Sequence, residues 1–494
     1  MLWTTLPGAL GVDPNGWWIV VVLTATGFAV GLGLQFLPGH GGPDSATTEL
    51  VAEPLKLRTL PGLVIVTGLA LAGGVSLGPE NPIIAINVAL TVALFGRLMP
   101  RVGANLGMLM AAAGTIGALF GSPVAAALLF TGTLAAIRGG GALWDKLFLP
   151  LASAGAAAGT MHVLGAPPLQ FTLPTAPTTP LLLLAGIVIA VAGVAIGLIG
   201  AFAFPFVHRA FHSLRQPLLI ATAGGLVLGL LGLIGGPITL FKGLDQMGEL
   251  FEDPDAYDPG QLVVIVLIKL VALVVAASAA FRGGRIFPAA FAGAALGLLA
   301  HALIPSLPIA LCVASALIGI LLVMAKDGWL ALFVAAAVAG DLALLPWLCV
   351  IILPAWLLVS RAPEFRIVSG SGPEASPATA DAGRASEPDA EPPPAPEARS
   401  NGWFARRPGR PRPSAAAGRP VEARRAHARR GQHEFDLRRA CGVVREPRGD
   451  RSDLLVPGRE QEGRGAAVAL HADEEEAVLG LPEFGEAVRF DRAA

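Results

Sequence analysis

Three short segments combine glycine with proline at points where apolar helices would begin. They are Gly39-His40-Gly41-Gly42-Pro43-Asp44, Gly78-Pro79-Glu80-Asn81-Pro82 and Gly284-Arg285-Ile286-Phe287-Pro288. The first turn of a helix leaves backbone N–H groups without partners and carries a partial positive charge, so it can hold an anion without a cationic side chain. Glycine permits close backbone approach, and proline presets the first turn. We therefore predict that these segments bind a small anion.

Glu80 lies at the start of the second helix of this kind and is the only acidic residue between Glu53 and Asp145. An ionised side chain is expensive in so apolar a segment, which favours a functional role. The carboxylate could cap local N–H groups, or it could gain and lose a proton as part of a functional site. The functional reading is the one we favour.

His40 and Arg285 are two further candidates in the same segments. An imidazole can donate a hydrogen bond to a halide, so His40 could contact the anion; a surface histidine beside a loop is the alternative. Arg285 could attract anions to a vestibule, with a lipid-headgroup contact or a loop ion pair as the equal alternative.

His208 and His212 stand four residues apart, a spacing that places both on one helical face and could bind a metal. Arg209 and Arg215 flank the pair, which opposes a cation site. Neither an HExxH motif nor a paired nucleophile is apparent. We therefore predict no metal, no cofactor and no enzymatic activity, and a membrane-embedded metal enzyme remains as a rival interpretation.

The elements that must position these residues are apolar. The chain has 494 residues, of which 54% are hydrophobic and 14% charged, with 61 Gly and a mean hydropathy of +0.65. A soluble protein would carry roughly 25% charged residues. Of the Lys, Arg, Asp and Glu side chains, 27 lie in residues 1–360 and 44 in residues 361–494. The first region is compatible with lipid and the last is not.

Several apolar runs approach the ~20 residues that span a bilayer as a helix. The clearest are 17–37, 181–206, 218–233, 262–281 and 342–359. Others are broken by Gly and Pro, which implies packed protein or a water-filled cavity around the breaks. Three pairs of basic residues mark loops expected to face the cytoplasm: Arg97 and Arg101, Arg138 and Lys146, Arg209 and Arg215.

An internal repeat is visible in the order of the segments. Gly78 and Gly284 each open a helix after an apolar run, and Gly114 and Gly319 follow at nearly equal spacing, 32 residues after Pro82 and 31 after Pro288. Interrupted segments in matching positions of two halves are typical of a two-repeat transporter with its site at the repeat interface. We predict an all-α, polytopic membrane protein with two inverted-topology repeats and broken helices.

The predicted organisation is an N-terminal segment 1–15, a first repeat 16–165, a second repeat 166–360 and a tail 361–494. The tail is rich in Pro, Ala, Arg and Glu and is predicted to be disordered and cytoplasmic. Its Arg-rich stretch 405–439 could contact anionic lipid headgroups, and an aberrant reading frame past about residue 400 is a further alternative.

The three segments resemble, in order and spacing, the anion-filter motifs GSGIP, GxEGP and GxFxP of the CLC chloride channel and transporter family. The stretch from Gly117 to Ala126 also resembles that family's AAAFNAPLAG segment. The resemblance covers about residues 16–360. It implies a homodimer with one pore per subunit, inverted repeats, and an anion coordinated by helix N-termini.

The resemblance also implies residue roles. Glu80 matches the gating glutamate, whose carboxylate can occupy the anion site and swing away. The residues expected to bind the anion are His40, Gly41, Gly42, Pro43, Gly78, Asn81, Pro82, Gly284, Arg285, Ile286, Phe287 and Pro288. His40 stands where the family usually has Ser, and Ile286 where it has Phe.

Two departures from the family pattern bear on mechanism. The stretch Phe130–Leu134 lacks the internal glutamate of the family's exchangers, and the pore-lining Tyr with its final helix is missing, since Tyr257 lies in an acidic loop. We predict passage of chloride or another small anion across the cell membrane, uncoupled rather than proton-exchanging. The partners expected are the anion, membrane lipid and a second copy of the chain, with no nucleic acid. A secondary transporter of another ion is the other alternative.

Overall fold

The computed structural model of the protein describes residues 2–131, 142–165, 171, 173–174 and 179–367. These residues form fifteen α-helices. The first seven are α1 (Thr5–Leu10), α2 (Trp17–Phe36), α3 (Leu60–Ala72), α4 (Glu80–Leu98), α5 (Ala104–Phe120), α6 (Pro123–Leu129) and α7 (Leu143–Val163). The next eight are α8 (Pro180–His212), α9 (Pro217–Gly235), α10 (Leu244–Glu252), α11 (Pro259–Ser278), α12 (Ile286–Leu303), α13 (Ile309–Ala325), α14 (Gly328–Ala339) and α15 (Leu345–Val359).

Six of these helices are long and apolar enough to cross a membrane: α2, α4, α8, α9, α11 and α12. Five shorter apolar helices accompany them. Within the described ranges the only strand-like pairing is an isolated bridge between Gly78 and Gly284. The prediction of an all-α, polytopic membrane fold with broken helices is therefore confirmed.

The helices follow each other in matching order in the two halves. In the first half α2, a 3₁₀ turn at Pro38–Gly41, α3, α4, α5, α6 and α7 succeed one another; in the second half α9, a 3₁₀ turn at Pro237–Thr239, α11, α12, α13, α14 and α15 do so. Equivalent helices also pack alike, because α4 lies on α5 as α12 lies on α13, and α5 contacts α6 and α7 as α13 contacts α14 and α15. The internal repeat seen in the sequence is thus a structural repeat.

The two repeats meet through equivalent elements. Helix α2 packs along α9, and α6 contacts α14. Glycine makes the first of these crossings close: a Cβ on Gly27 would lie 2.3 Å from the Ala221 carbonyl oxygen, and one on Gly225 2.2 Å from that of Leu23. Small residues at helix crossings compensate for the missing hydrophobic drive between helices in lipid.

The first glycine-rich segment does not begin a helix, so the prediction of a third helix N-terminus there is wrong. Gly39, His40, Gly41 and Gly42 all have positive φ, and the next α-helix begins at Leu60. A single turn forms after Gly42, in which Asp44 accepts bonds through its backbone carbonyl and its side chain. Short polar side chains that bond the local backbone compete with helix formation, which explains why the turn does not propagate.

The chain beyond α15 is ordered further than the sequence predicted. Residues 361–367 were assigned to the tail, but Phe365 is 1% exposed and the Ile367 N–H donates to the Ala46 carbonyl at 2.8 Å. The assignment failed because these contacts involve residues distant in sequence. The rest of the predicted tail, 368–494, lies outside the described residues, as does most of the connection between α7 and α8, where the boundary between repeats was predicted.

Candidate functional site

Gly78 and Gly284, the first residues of the second and third segments, pair directly. The Gly78 N–H donates to the Gly284 carbonyl at 2.8 Å, and the Gly284 N–H donates to the Gly78 carbonyl at 2.7 Å. The pairing is antiparallel, so equivalent residues of the two repeats lie opposite each other. It brings the N-terminus of α4 beside that of α12, the meeting of segments that the sequence predicted.

Glu80 is the first residue of α4, and its carboxylate reaches across to α12. The side chain is fully buried, and its Oε1 accepts a hydrogen bond of 2.7 Å from the backbone N–H of Ile286, the first residue of α12. Its Oε2 has no hydrogen-bond partner among the described residues. The carboxylate is therefore bound by the N-terminus of the opposite repeat, where the unpaired N–H groups favour negative charge.

The paired glycines leave the space that the carboxylate fills. A Cβ on Gly78 would lie 1.9 Å from Glu80 Oε2, and a Cβ on Gly284 would lie 2.2 Å from Glu80 Oε1. No other residue type fits at either position with Glu80 in this conformation. The sequence requirement for glycine here is steric, because neither residue has a positive φ.

Two cavities adjoin the start of α4, and Asn81 lines both. The larger, of about 390 Å³, also contains Arg285, Ile286, Phe130 and Phe365 in its wall. The smaller, of about 20 Å³, is large enough for a single water-sized particle. The residues of the smaller cavity are Pro43, Ser45, Thr48, Leu63, Asn81, Pro82, Ala85, Arg282 and Gly283. All three predicted segments thus contribute to the two cavities.

His40 lies apart from this arrangement. Its exposed ring forms a hydrogen bond of 3.0 Å between Nδ1 and the Leu34 carbonyl, and it lines neither cavity. Gly41 and Gly42 back onto side chains of Val66 and Leu63. Of the first segment, the structure brings Pro43 alone to a cavity wall.

Ser45, which the sequence analysis did not single out, links the first segment to the third. Its buried hydroxyl lies 2.6 Å from the Phe281 carbonyl and 3.0 Å from the Gly283 carbonyl, and it accepts from the Gly283 N–H at 2.9 Å. One hydroxyl therefore contacts three backbone atoms of the segment that leads into Gly284. A serine two residues after a proline turn carries no signal of such a long-range contact.

Arg285 faces the larger cavity, in a cluster of mixed charge. Its guanidinium donates to the Phe365 carbonyl and lies 5.9 Å from the Phe365 ring. Phe365 stacks on Phe204 with a centroid separation of 4.2 Å. The charged residues that also line this cavity are Glu49, Lys326, Asp327, Glu364 and Arg366.

The last two predicted residues of the third segment pack inside the protein. The side chain of Phe287 stacks on Phe120 with a ring-centroid separation of 5.7 Å, and Pro288 is buried in α12.

Lys269 is a buried charge that sequence reasoning missed. It lies in α11, is fully buried, and donates to the carbonyls of Thr239, Leu240 and Phe241 at 3.1, 3.1 and 2.8 Å. Its Nζ also lies 4.8 Å from the Phe291 ring centroid. A lone lysine in an apolar run was the available signal, but the carbonyls that surround it come from a separate turn.

Residues 22–360 match the family described as voltage gated chloride channel. The chain belongs to that family. Its relatives include the candidate ion-transport protein YfeO of Escherichia fergusonii, which is 47% identical over 74% of this chain and 87% of the relative. YfeO of Escherichia coli K12 is also 47% identical, over 74% of this chain and 88% of the relative.

Solved structures share the fold of this family member. A slow cyanobacterial Cl⁻/H⁺ antiporter superposes with a TM-score of 0.61 at 15% identity, covering 73% of this chain and 87% of the antiporter. A CLC-type fluoride/proton antiporter superposes with a TM-score of 0.55 at 20% identity, covering 70% and 95%. At such identities the likeness establishes the fold alone. The chain is thus a multi-pass membrane protein of an ion-transporting family.

Proposed function

We propose that the protein passes small inorganic anions, chloride foremost, and that Glu80 is the gate. The observation that carries the proposal is the 2.7 Å bond from the Ile286 N–H to Glu80 Oε1. A carboxylate oxygen held by a helix N-terminus occupies the position that a halide would take. The described conformation is then the closed state, in which the protein's own anion fills the site.

Opening requires the carboxylate to leave the Ile286 amide. Glu80 Oε2 contributes little to holding it, since this buried oxygen has no hydrogen-bond partner among the described residues. An incoming anion can take over the Ile286 N–H, or protonation can remove the charge that the helix N-terminus attracts. The first event exchanges one ligand of the amide for another, and the second frees the amide to receive an anion.

The larger cavity supplies a route to the gate. Its wall contains equal numbers of cationic and acidic side chains: Arg285, Lys326, Arg366, Glu49, Asp327 and Glu364. Arg366 pairs with two of the acids, so Arg285 and Lys326 are the cations that could attract an anion here. Ile286, whose amide binds Glu80, lies in the same wall.

Uncoupled passage is the mode we favour. The stretch Phe130–Leu134 contains no acid that could deliver protons from the inner side. Proton-coupled exchange is the second candidate, because Glu49, Asp327 and Glu364 line the larger cavity and could serve that purpose instead. The assembly proposed for either mode is a homodimer in the cell membrane with a cytoplasmic C-terminal tail.

A liposome efflux assay tests the gate and the mode together. The purified protein, Glu80→Gln and Glu80→Ala are compared across a panel of anions and a pH series, with proton movement recorded simultaneously. We expect both variants to change anion flux and to lose its pH dependence, whereas Glu252→Gln, at the exposed end of α10, behaves as wild type. Unchanged flux and pH profile in both Glu80 variants would remove the assigned role, and stoichiometric proton movement in wild type would replace uncoupled passage by exchange.

A further inference from the structure

Asp44, His208 and His212 form a side-chain cluster separate from the Glu80 site. One ligand atom from each residue lies within 4.8 Å of the others, and all three side chains are partly buried. The two imidazoles come from the last two turns of α8, and the carboxylate comes from the turn after Gly42. The spacing in the sequence predicted that the two histidines share a helical face. It did not predict the contact with Asp44, which lies 164 positions before His208.

The two imidazoles lie against each other and would have to rotate to share a cation. The rings stack with a centroid separation of 3.8 Å and an interplanar angle of 21°, so their in-plane lone pairs are nearly parallel until one ring turns. His212 Nδ1 lies 3.0 Å from the His208 carbonyl and donates to it, so that Nε2 is free to accept when the ring is neutral. Metal-bound histidines are held in this way, with the second ring nitrogen bonded to a carbonyl or carboxylate.

The two oxygens of the Asp44 carboxylate have different neighbours. Asp44 Oδ1 accepts from the Ala46 N–H at 3.1 Å and lies 3.7 Å from the guanidinium of Arg282. Asp44 Oδ2 points the other way and lies 3.9 Å from His212 Nε2. One oxygen therefore fixes the carboxylate while the other remains open toward the histidines.

The basic neighbours that argued against a cation in the sequence lie elsewhere in the structure. The Arg209 guanidinium lies 5.7 Å from the Phe206 ring, which turns it toward that ring, and Arg215 is exposed in the turn after α8. Arg282 opposes a cation here, and its guanidinium contacts Asp44 on the Oδ1 side. Its charge lowers the expected affinity for a cation.

We propose that Asp44, His208 and His212 bind a divalent transition-metal ion, with Zn²⁺ as the best match. Two neutral imidazoles and one carboxylate are a ligand set that Zn²⁺ accepts, and the fourth position would hold water. Tetrahedral bonds of about 2.0–2.1 Å require ligand atoms about 3.4 Å apart. The present separations need a contraction of less than about 1.5 Å, which side-chain rotation can provide.

A bound ion would connect α8 to the segment that positions the third glycine-rich motif. Asp44 is followed by Ser45, whose hydroxyl binds the backbone of Phe281 and Gly283. The same turn continues into Ala46, which accepts the Ile367 N–H. The metal would thus fix the turn from which these contacts start, and binding to the folded state alone would raise its stability.

Zinc binding to the purified full chain tests the proposal. Equilibrium dialysis and thermal unfolding with ZnCl₂ are compared for wild type, His208→Gln, His212→Gln, their double variant and Asp44→Asn. We expect wild type to bind one Zn²⁺ per chain and to melt at a higher temperature with ZnCl₂. The double variant should lose both the bound Zn²⁺ and the rise in melting temperature. Each single variant should bind Zn²⁺ at least about tenfold more weakly than wild type. His301→Gln is the matched control, because His301 Nδ1 also binds a carbonyl at a helix end, at 2.7 Å from Leu307 O, but lies outside the cluster.

The histidine variants decide the outcome. They leave the Asp44–Arg282 contact in place, whereas Asp44→Asn also weakens that pair. Subtracting the Zn²⁺ bound by the double variant from the Zn²⁺ bound by wild type removes any contribution of the tail histidines, His427, His433 and His471. The proposal is overturned if wild type binds no more Zn²⁺ than the double variant, or if the melting temperature of both rises equally with ZnCl₂.

Discussion

Gly78 and Gly284 exchange a pair of backbone hydrogen bonds, 2.8 and 2.7 Å long, at the contact between the two repeats. The pair does more than join two repeats of one chain. Each glycine also forms a wall of the space in which the Glu80 carboxylate lies. The same backbone contact that joins the repeats therefore sets the position of Glu80, the proposed gate, and it does so only with residues that lack a side chain.

Gly284→Ala should displace the Glu80 carboxylate. The new Cβ would lie 2.2 Å from Glu80 Oε1, and the carboxylate can move while the paired backbone cannot. We expect a gate that closes incompletely, seen as increased anion efflux from liposomes, together with a loss of stability of about 1–3 kcal/mol from overpacking. Gly96→Ala is the control, because its Cβ would meet nothing within 4 Å. Wild-type efflux in Gly284→Ala would show that the glycine does not constrain the gate.

Ser45→Ala should loosen the backbone that leads into Gly284. Removal of the hydroxyl leaves the buried N–H of Gly283 without the acceptor it has at 2.9 Å. An unsatisfied buried polar group costs about 1–3 kcal/mol, which should appear as a lower melting temperature in detergent. Ser213→Ala, whose exposed hydroxyl bonds the nearby Ala210 carbonyl, should melt as wild type. Equal melting temperatures for both variants would mean that Ser45 does not hold the third segment.

Lys269→Met should destabilise the protein without acting on the gate. The ammonium group donates to three carbonyls near the 3₁₀ turn Pro237–Thr239, and methionine leaves all three without that donor. Buried carbonyls left without a donor cost about 1–3 kcal/mol. Lys242→Met, at a partly exposed pair with Asp245, should cost less than about 1 kcal/mol. Thermal unfolding measures both, and a smaller loss in Lys269→Met than in Lys242→Met would contradict the assigned contacts.

The sequence predicted those features that depend on local pattern. Apolar runs indicated the long helices, and the glycine and proline at 78–82 and 284–288 indicated where two of them begin. Glu80 was recognisable as a candidate functional residue because a single ionisable acid in an apolar segment is energetically costly. Matching order in the two halves was enough to predict the repeat. These inferences need no knowledge of distant contacts.

Features that depend on distant contacts were missed or mistaken. Gly39–Asp44 resembled a helix start, but the polar residues that follow form a single turn instead. His40 was assigned to the anion from its position in a motif, whereas its ring bonds the Leu34 carbonyl. Phe365 was placed in the tail because composition changes near residue 361, although its ring packs on Phe204. Composition reports which segments can be buried, not which partners bury them.

We infer that the Ile286 amide is an anion site, which Glu80 occupies in the closed state. The most direct test is the structure of Glu80→Ala crystallised with bromide, using anomalous scattering to locate the ion. We predict a bromide within hydrogen-bond distance of the Ile286 N–H, at the position of Glu80 Oε1, and none there in wild type. An Ile286 amide without bromide in Glu80→Ala, with the Gly78–Gly284 pairing intact, would contradict the account.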